Sequence, residues 1–373
     1  MQAMCSMQSP TVTSTTELAI QHGDPMLTAE VLHAEFVCLW EPATLERREQ
    51  IARDLGRLGR ATGDSQIEFL GGFFAAICLV ERGDLPGGLA RLHELQPVVE
   101  SAKNACYEFL SERLQLTIDL TRCLPDAQLR VDEFFARFGS TEFDADATWM
   151  VQTAVVSYQA GTMGQMSQAL QAMTTGAQSR LWTAGLALAL LWSGDRESAE
   201  AVLDLPEEIT RNYFWLAVSQ TRADTAAGLS RQDDCRQLFD DLLEYRGRVG
   251  ITGAGSACFG LVSRTLGVLA LALDEIPIAI DLLTEAVEHA DRIGAIFEAV
   301  TSRRCLATAL QSAGQVEQVE QVEQVEQIPV LLSDALAMAE KHDFAREITL
   351  IHERLAIGPT AKPSPPRPTS WDT

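Results

Sequence analysis

The residues that could carry chemistry in this chain are few and widely spaced. Acidic pairs stand at Asp233 and Asp234 and at Asp240 and Asp241, with Glu244 close behind. Converging carboxylates can bind a metal or do acid–base work. At this spacing they fall on the polar face of one helix, where solvated charge is the favoured reading. The six histidines are His22, His33, His93, His289, His342 and His352. No two share a helix at ligand spacing, and HExxH does not occur, so no metal is expected. GxSxG is absent. GITGAGSACFG is rich in glycine, but no lysine follows it, so it is not the phosphate cradle GxxxxGK[ST]. The eight cysteines include no CxxC, and most lie in apolar helical stretches as small hydrophobes. They point to a reducing compartment.

What remains are candidates for recognition. Arg303 and Arg304 make a local positive spot suited to a partner's carboxylate; the plainer alternative is a salt bridge to a neighbouring helix. Trp182 and Trp215 are candidate interface anchors, against the alternative that they fill space between helices. Met150, Met163, Met166 and Met173 read as core filling, with an adaptable Met-lined groove as the other possibility.

These side chains must be positioned by helices. The clearest joint is Phe73 to Leu92: an apolar helix to Val80, an exit at Gly83, a cap at Asp84, and Pro86 in the next first turn, with Leu89 and Leu92 facing inward. The joint recurs around Gly194 and Asp195 and from Asp274 to Pro277, with a weaker copy at Gly161. Gly161, Gly194 and Gly228 read as turn glycines 33 and 34 residues apart, near the tetratricopeptide period. Gly314 reads as a further turn. Arg246 to Gly255 reads as a glycine-rich separator before one long helix from Ala257 to Leu273. Residues 1–24 are expected to be loose, 25–355 to form the helical array, and 356–373 to be a disordered proline-rich tail. VEQVEQVEQVEQ at 316–327 reads as a solvent-facing insertion.

Composition agrees. The chain of 373 residues is 46% hydrophobic but only 6% aromatic, which favours close-packed helices over sheets. A formal charge of −23 repels phosphate backbones, so direct nucleic-acid binding is not expected. The first residues do not read as a signal peptide. The apolar stretches are too short to span a bilayer, and the expected location is cytoplasmic.

The stretch ALDEIPIAIDLLTEAVEHADRIGAIFEAVTSRRCLATALQSAG resembles the tetratricopeptide-like C-terminal arrays of bacterial MalT/LuxR-type ATPase transcription regulators and of related actinobacterial cyclase-linked ATPases. Asp291, Arg292 and Gly294 match the end of the family's second helix, and the likeness is strongest over 250–355. It implies a sensor or partner platform working with an ATPase and a DNA-binding module.

The expectation is therefore an all-α, right-handed α-solenoid of tetratricopeptide-like helix pairs. Its inner helices would form the recognition face. The expected function is noncatalytic binding of a protein or peptide, with a regulatory ATPase as one candidate partner. No cofactor is called for. The alternative is the ligand-sensing repeat module of such a regulator, lacking its ATPase and DNA-binding parts.

Overall fold

The computed structural model describes residues 9–139, 145–174, 180–204, 211–316 and 322–357. They form helices α1 (Ser9–His22), α2 (Pro25–Cys38), α3 (Leu45–Thr62), α4 (Ser65–Glu81), α5 (Leu85–Ala102), α6 (Ala105–Thr121), α7 (Ala127–Phe138), α8 (Ala145–Ala160), α9 (Ser167–Met173), α10 (Arg180–Trp192), α11 (Arg196–Leu203), α12 (Trp215–Leu229) and α13 (Gln232–Leu242). Two strands follow, β1 (Val249–Thr252) and β2 (Ala257–Leu261). The chain continues as α14 (Val262–Ala272), α15 (Ile276–Ile293), α16 (Ile296–Val316), α17 (Val322–Lys341) and α18 (Ala345–Ile357). Among the described residues the fold is all-α apart from this one hairpin.

Local chemistry explains most of the joints. Asp64 accepts from the backbone N–H of Gln66 and Ile67, Asn104 from Cys106, and Asp195 from Ser198. Asp84 accepts from Gly87 behind a left-handed Gly83. Each cap satisfies an orphan donor of the first turn and contributes about 1 kcal/mol. Leu92 is buried and Leu89 packs against the core, so that joint forms as the spacing predicts.

Several expectations need correction. Ser9–His22 is a helix packed on α2, not a loose arm. Gly228 lies within α12, and the left-handed turn falls at Ser230. Gly314 is inside α16, which continues to Val316. The VEQ run is split: 317–321 lie outside the described residues, and α17 begins at Val322. The tail from 358 also lies outside them. The largest departure is the stretch read as a separator and one long helix. It is an antiparallel hairpin in which Val249 faces Leu261 and Thr252 faces Ala257. Gly250 pairs with Gly260 and Ile251 with Cys258, so Phe259 is an extra, bulged residue.

Sequential helices pack as neighbours, and the hairpin sits against alternate ones. Its principal contacts are with α4, α6, α8, α12 and α14. Val249, Ile251, Cys258 and Leu261 join a core with Phe69, Phe73 and Ile77 of α4. The same core takes in Ala286, Ala290 and Ile293 of α15 and Ala299 of α16. The N-terminal helices thus close against the C-terminal ones around the hairpin. At that closure His289 Nε2 lies 3.0 Å from the Gly83 carbonyl. A side chain at position 83 would strike the imidazole, so the turn needs glycine for space as well as for its φ of +86°. A second closure stacks the Arg346 guanidinium over Trp192, 4.1 Å from the ring centre.

Candidate functional site

The even-numbered helices turn polar side chains toward the hairpin, and those side chains hold its backbone. Arg113 of α6 donates to the Ala254 carbonyl at 2.6 Å. Thr117, one turn on, donates to the Gly255 carbonyl at 2.8 Å. Gln220 of α12 donates to the Gly260 carbonyl and to Thr265 Oγ1, each at 3.2 Å. From α16, Glu298 Oε2 accepts the Leu261 N–H at 2.9 Å. A strand buried among helices lacks a neighbouring strand for its outward N–H and C=O groups. Gln220 and Glu298 supply such partners along β2, and Arg113 and Thr117 do the same for the turn that joins the strands.

A buried ionic group anchors the arrangement. Arg264 of α14 donates through Nε to Glu298 at 3.0 Å and through Nη1 to Asp224 of α12 at 3.1 Å. The Tyr158 hydroxyl of α8 donates to the other Asp224 oxygen at 2.9 Å. Burial opposes charge on Arg264, but Asp224 and Glu298 hold its pKa well above the ordinary value. Burial raises Glu298 and Arg264 pulls it back, leaving it above the usual carboxylate value. Burial, then Asp224, pushes the Tyr158 phenol well up, so it stays a donor. Gly250 and Gly260 are spatial requirements here: a Cβ at 250 would strike Gln220, and one at 260 would strike the Glu298 carboxylate.

A second buried arginine is differently used. Arg48 of α3 is 0% exposed. Its Nη2 alone donates to both oxygens of Glu81, at 2.7 and 2.8 Å, and to the Glu41 carbonyl at 3.2 Å. Its Nε and Nη1 are buried without a hydrogen-bond partner. It lines a recess with Trp40, Glu41, Pro42, Glu81, Asn212, Tyr213, Leu216 and Ile251.

The residues singled out in the sequence do not converge. Arg303 pairs with Asp291 at 2.7 Å, and its side chain is 13% exposed. Arg304 donates to both oxygens of Glu347 on α18, which is the salt bridge to a neighbouring helix and not an open carboxylate receptor. Trp215 is buried against Tyr245, with Arg211 over its face. It is core, not an exposed anchor, because its ring fills the space between α12 and the turn after α13. Trp182 is partly buried beside Met163 and Leu170. The residues that hold the hairpin were not singled out. A signal for them exists in chain distance: Arg264 to Glu298 spans 34 residues and Arg48 to Glu81 spans 33, near the period of the turns.

Four buried thiols are poor nucleophiles. Burial pushes Cys78 and Cys123 up to about 12, and Cys235 and Cys258 to about 11. Among the described residues, no three His, Cys, Asp or Glu side chains gather as a metal-holding group. No helix among them is long and apolar enough to cross a membrane. A scan against protein-family models gave no match, and a search of curated proteins gave none.

Proposed function

We propose that this chain is a noncatalytic protein- or peptide-binding scaffold of a cytoplasmic regulatory system, built as a right-handed α-solenoid of tetratricopeptide-like helix pairs. The observation that carries the reading is the grip of alternate helices on the hairpin's backbone, through Arg113 and Thr117 at its turn and Gln220 and Glu298 along β2. Helix pairs bind extended segments in this way, and here the inner surface is filled by the chain's own hairpin. A partner therefore docks on the outward side.

The outward faces of α13 and α15 suit that role. They expose Asp233, Asp240, Asp281, Glu288 and Asp291, with Leu243 and Ile278 left open beside them. Arg236 pairs with Glu275, and Arg246 with Asp281 and Glu285, so the two faces are tied together. With the net charge of −23, this surface favours a basic partner. A regulatory ATPase or its DNA-binding chain is the partner class that the resemblance suggests.

Affinity capture from native cytoplasm tests the reading. The intact chain should retain an identifiable regulatory ATPase or DNA-binding protein. The variant Asp233→Lys, Asp240→Lys, Glu288→Lys should release it without loss of helical signal. Retention undiminished by the triple reversal would place the partner elsewhere. Failure to capture any such protein would remove the reading's main support.

A further inference from the structure

We propose that residues 362–371, KPSPPRPTSW, dock within the same chain on an aromatic ledge formed by Trp40, Tyr213 and Phe214. The ledge lies where the end of α2 meets the segment entering α12. It is separate from the buried grip on the hairpin.

The first observation is the ledge itself. Tyr213 is 41% exposed. Its ring centre stands 5.7 Å from that of Trp40 and 4.3 Å from that of Phe214, both half-buried. Trp40 in turn packs edge-on against the buried rings of Phe36 and Phe74, so the ledge has a fixed floor. Proline rings pack on exposed aromatic faces, and a polyproline II segment loses little entropy on docking because its shape is already set. The ledge needs no deep pocket for such an occupant, which lies across the rings.

The second observation is charge. Glu41 adjoins Trp40 and Glu46 opens the first turn of α3. Neither carboxylate has an ion-pair partner among the described residues. The cations nearby are mostly spent: Arg48 on Glu81, Arg82 on Glu49, and Arg211 on Asp241 and Glu244. Arg248, in the field of Glu46 and Glu81, is the one left over. The rim of the ledge is therefore acidic by one charge and favours a basic segment.

The third observation names the occupant. Five of the sixteen residues from 358 to 373 are prolines, and Lys362 and Arg367 outnumber Asp372. Trp371 adds a further ring. No other stretch of the chain combines prolines and positive charge in this way. The stretch also has the reach. Met338 of α17 packs on the same core as Trp40, and α18 packs on α17. In polyproline II the residues from 358 to 367 span about 30 Å, against a radius of gyration of about 21 Å for a compact chain of this length.

Fluorine NMR of the intact chain labelled with 3-fluorotyrosine tests this. The chain has four tyrosines, and Tyr213→Phe assigns the exposed one. The comparison is with a full-length variant carrying Pro363→Gly, Pro365→Gly, Pro366→Gly and Pro368→Gly. Its Tyr213 resonance should move from the parent position, and the shift on changing H2O for D2O should grow roughly twofold. A synthetic peptide of the sequence 362–371, added to that variant, should return the resonance saturably with a dissociation constant on the order of 0.1 mM. A tether that supplies an effective concentration of about 1 mM then leaves the parent about nine-tenths docked. Glu41→Gln with Glu46→Gln should weaken the peptide roughly fivefold with no change in thermal midpoint, since neither carboxylate is paired. Identical Tyr213 resonances in the parent and the proline variant overturn the proposal, even if the added peptide binds, because the segment then acts only between molecules. Peptide binding that is not saturable, or that the two glutamine changes leave unaltered, overturns it as well.

Discussion

Arg264 and Arg48 are both buried arginines on neighbouring-helix carboxylates, yet they are built to opposite plans. Arg264 divides its donors between Asp224 and Glu298, and none of its buried nitrogens is without a partner among the described residues. Its acceptors are themselves bonded onward, to Tyr158 and to the Leu261 N–H. Arg48 crowds its bonds onto one nitrogen and leaves two idle. A fully satisfied polar network rigidifies what it touches, whereas an incompletely satisfied one leaves buried donors uncompensated at a cost in stability. The first arginine fastens the hairpin; the second faces a recess.

The sharpest way to break this contrast is Glu298→Ala. It leaves Arg264 with Asp224 alone and the buried Leu261 N–H without its acceptor, and should cost about 3–5 kcal/mol in urea unfolding. A loss below about 1 kcal/mol would show that the hairpin is not held by this network. Gly260→Ala attacks the same point from the strand. It forces an L-residue to φ +88° against the Glu298 carboxylate, and should cost roughly 2–3 kcal/mol by the same measurement.

The Arg48 side of the contrast predicts tolerance. Replacing the pair together, Arg48→Met with Glu81→Leu, should leave stability within about 1 kcal/mol of the parent or raise it, since two unmet donors vanish with the ion pair. The matching double change at Arg264 and Glu298 should remain destabilising, because Asp224 loses its cation.

A smaller effect concerns pH. Burial lowers the His289 pKa below its ordinary 6.5, with Arg292 acting the same way and the Gly83 carbonyl opposing. The folded protein therefore holds a neutral imidazole. That contribution is whole above about pH 6.5 and fades as pH falls through the folded value. His33 behaves likewise, through burial. Glu298 is shifted up instead, so acidification relieves part of its burial penalty. His289→Gln should show a shallower fall in thermal midpoint between about pH 7 and about pH 5 than the parent. A parallel fall would assign the acid sensitivity elsewhere. Smallest of all is Arg303→Ala. Its partner Asp291 is 46% exposed, so the change should move the midpoint by the equivalent of about 0.2–1 kcal/mol.

The helices were legible because their signals are local. The Gly–Asp joints at 83–84 and 194–195 formed as capping chemistry requires. The hairpin was not legible for a physical reason. Nearly every one of its strand residues is buried, so the apolar–polar alternation of a half-exposed strand is missing. Ala257, Cys258 and Leu261 suit a helix as well as a strand. The available clue was five glycines between 247 and 260 around Val249 and Ile251. The ionic groups were hidden too. Charge on helices was read as solvated, and only the fold brings Arg264 between Asp224 and Glu298, which stand 40 residues before and 34 after it.

The hairpin also sets a timetable for synthesis. Helices α4 and α6 emerge from the ribosome well before residues 249–261, and Gly83 is 206 residues ahead of the histidine that closes on it. At roughly 5–20 residues per second, α6 waits on the order of ten seconds for the hairpin turn that its Arg113 and Thr117 hold. During that interval the nascent chain displays an unfilled polar trough beside Phe69 and Phe73. The N-terminal third therefore completes its core only when the middle of the chain arrives, and a product truncated before residue 249 lacks the strands that fill that interior.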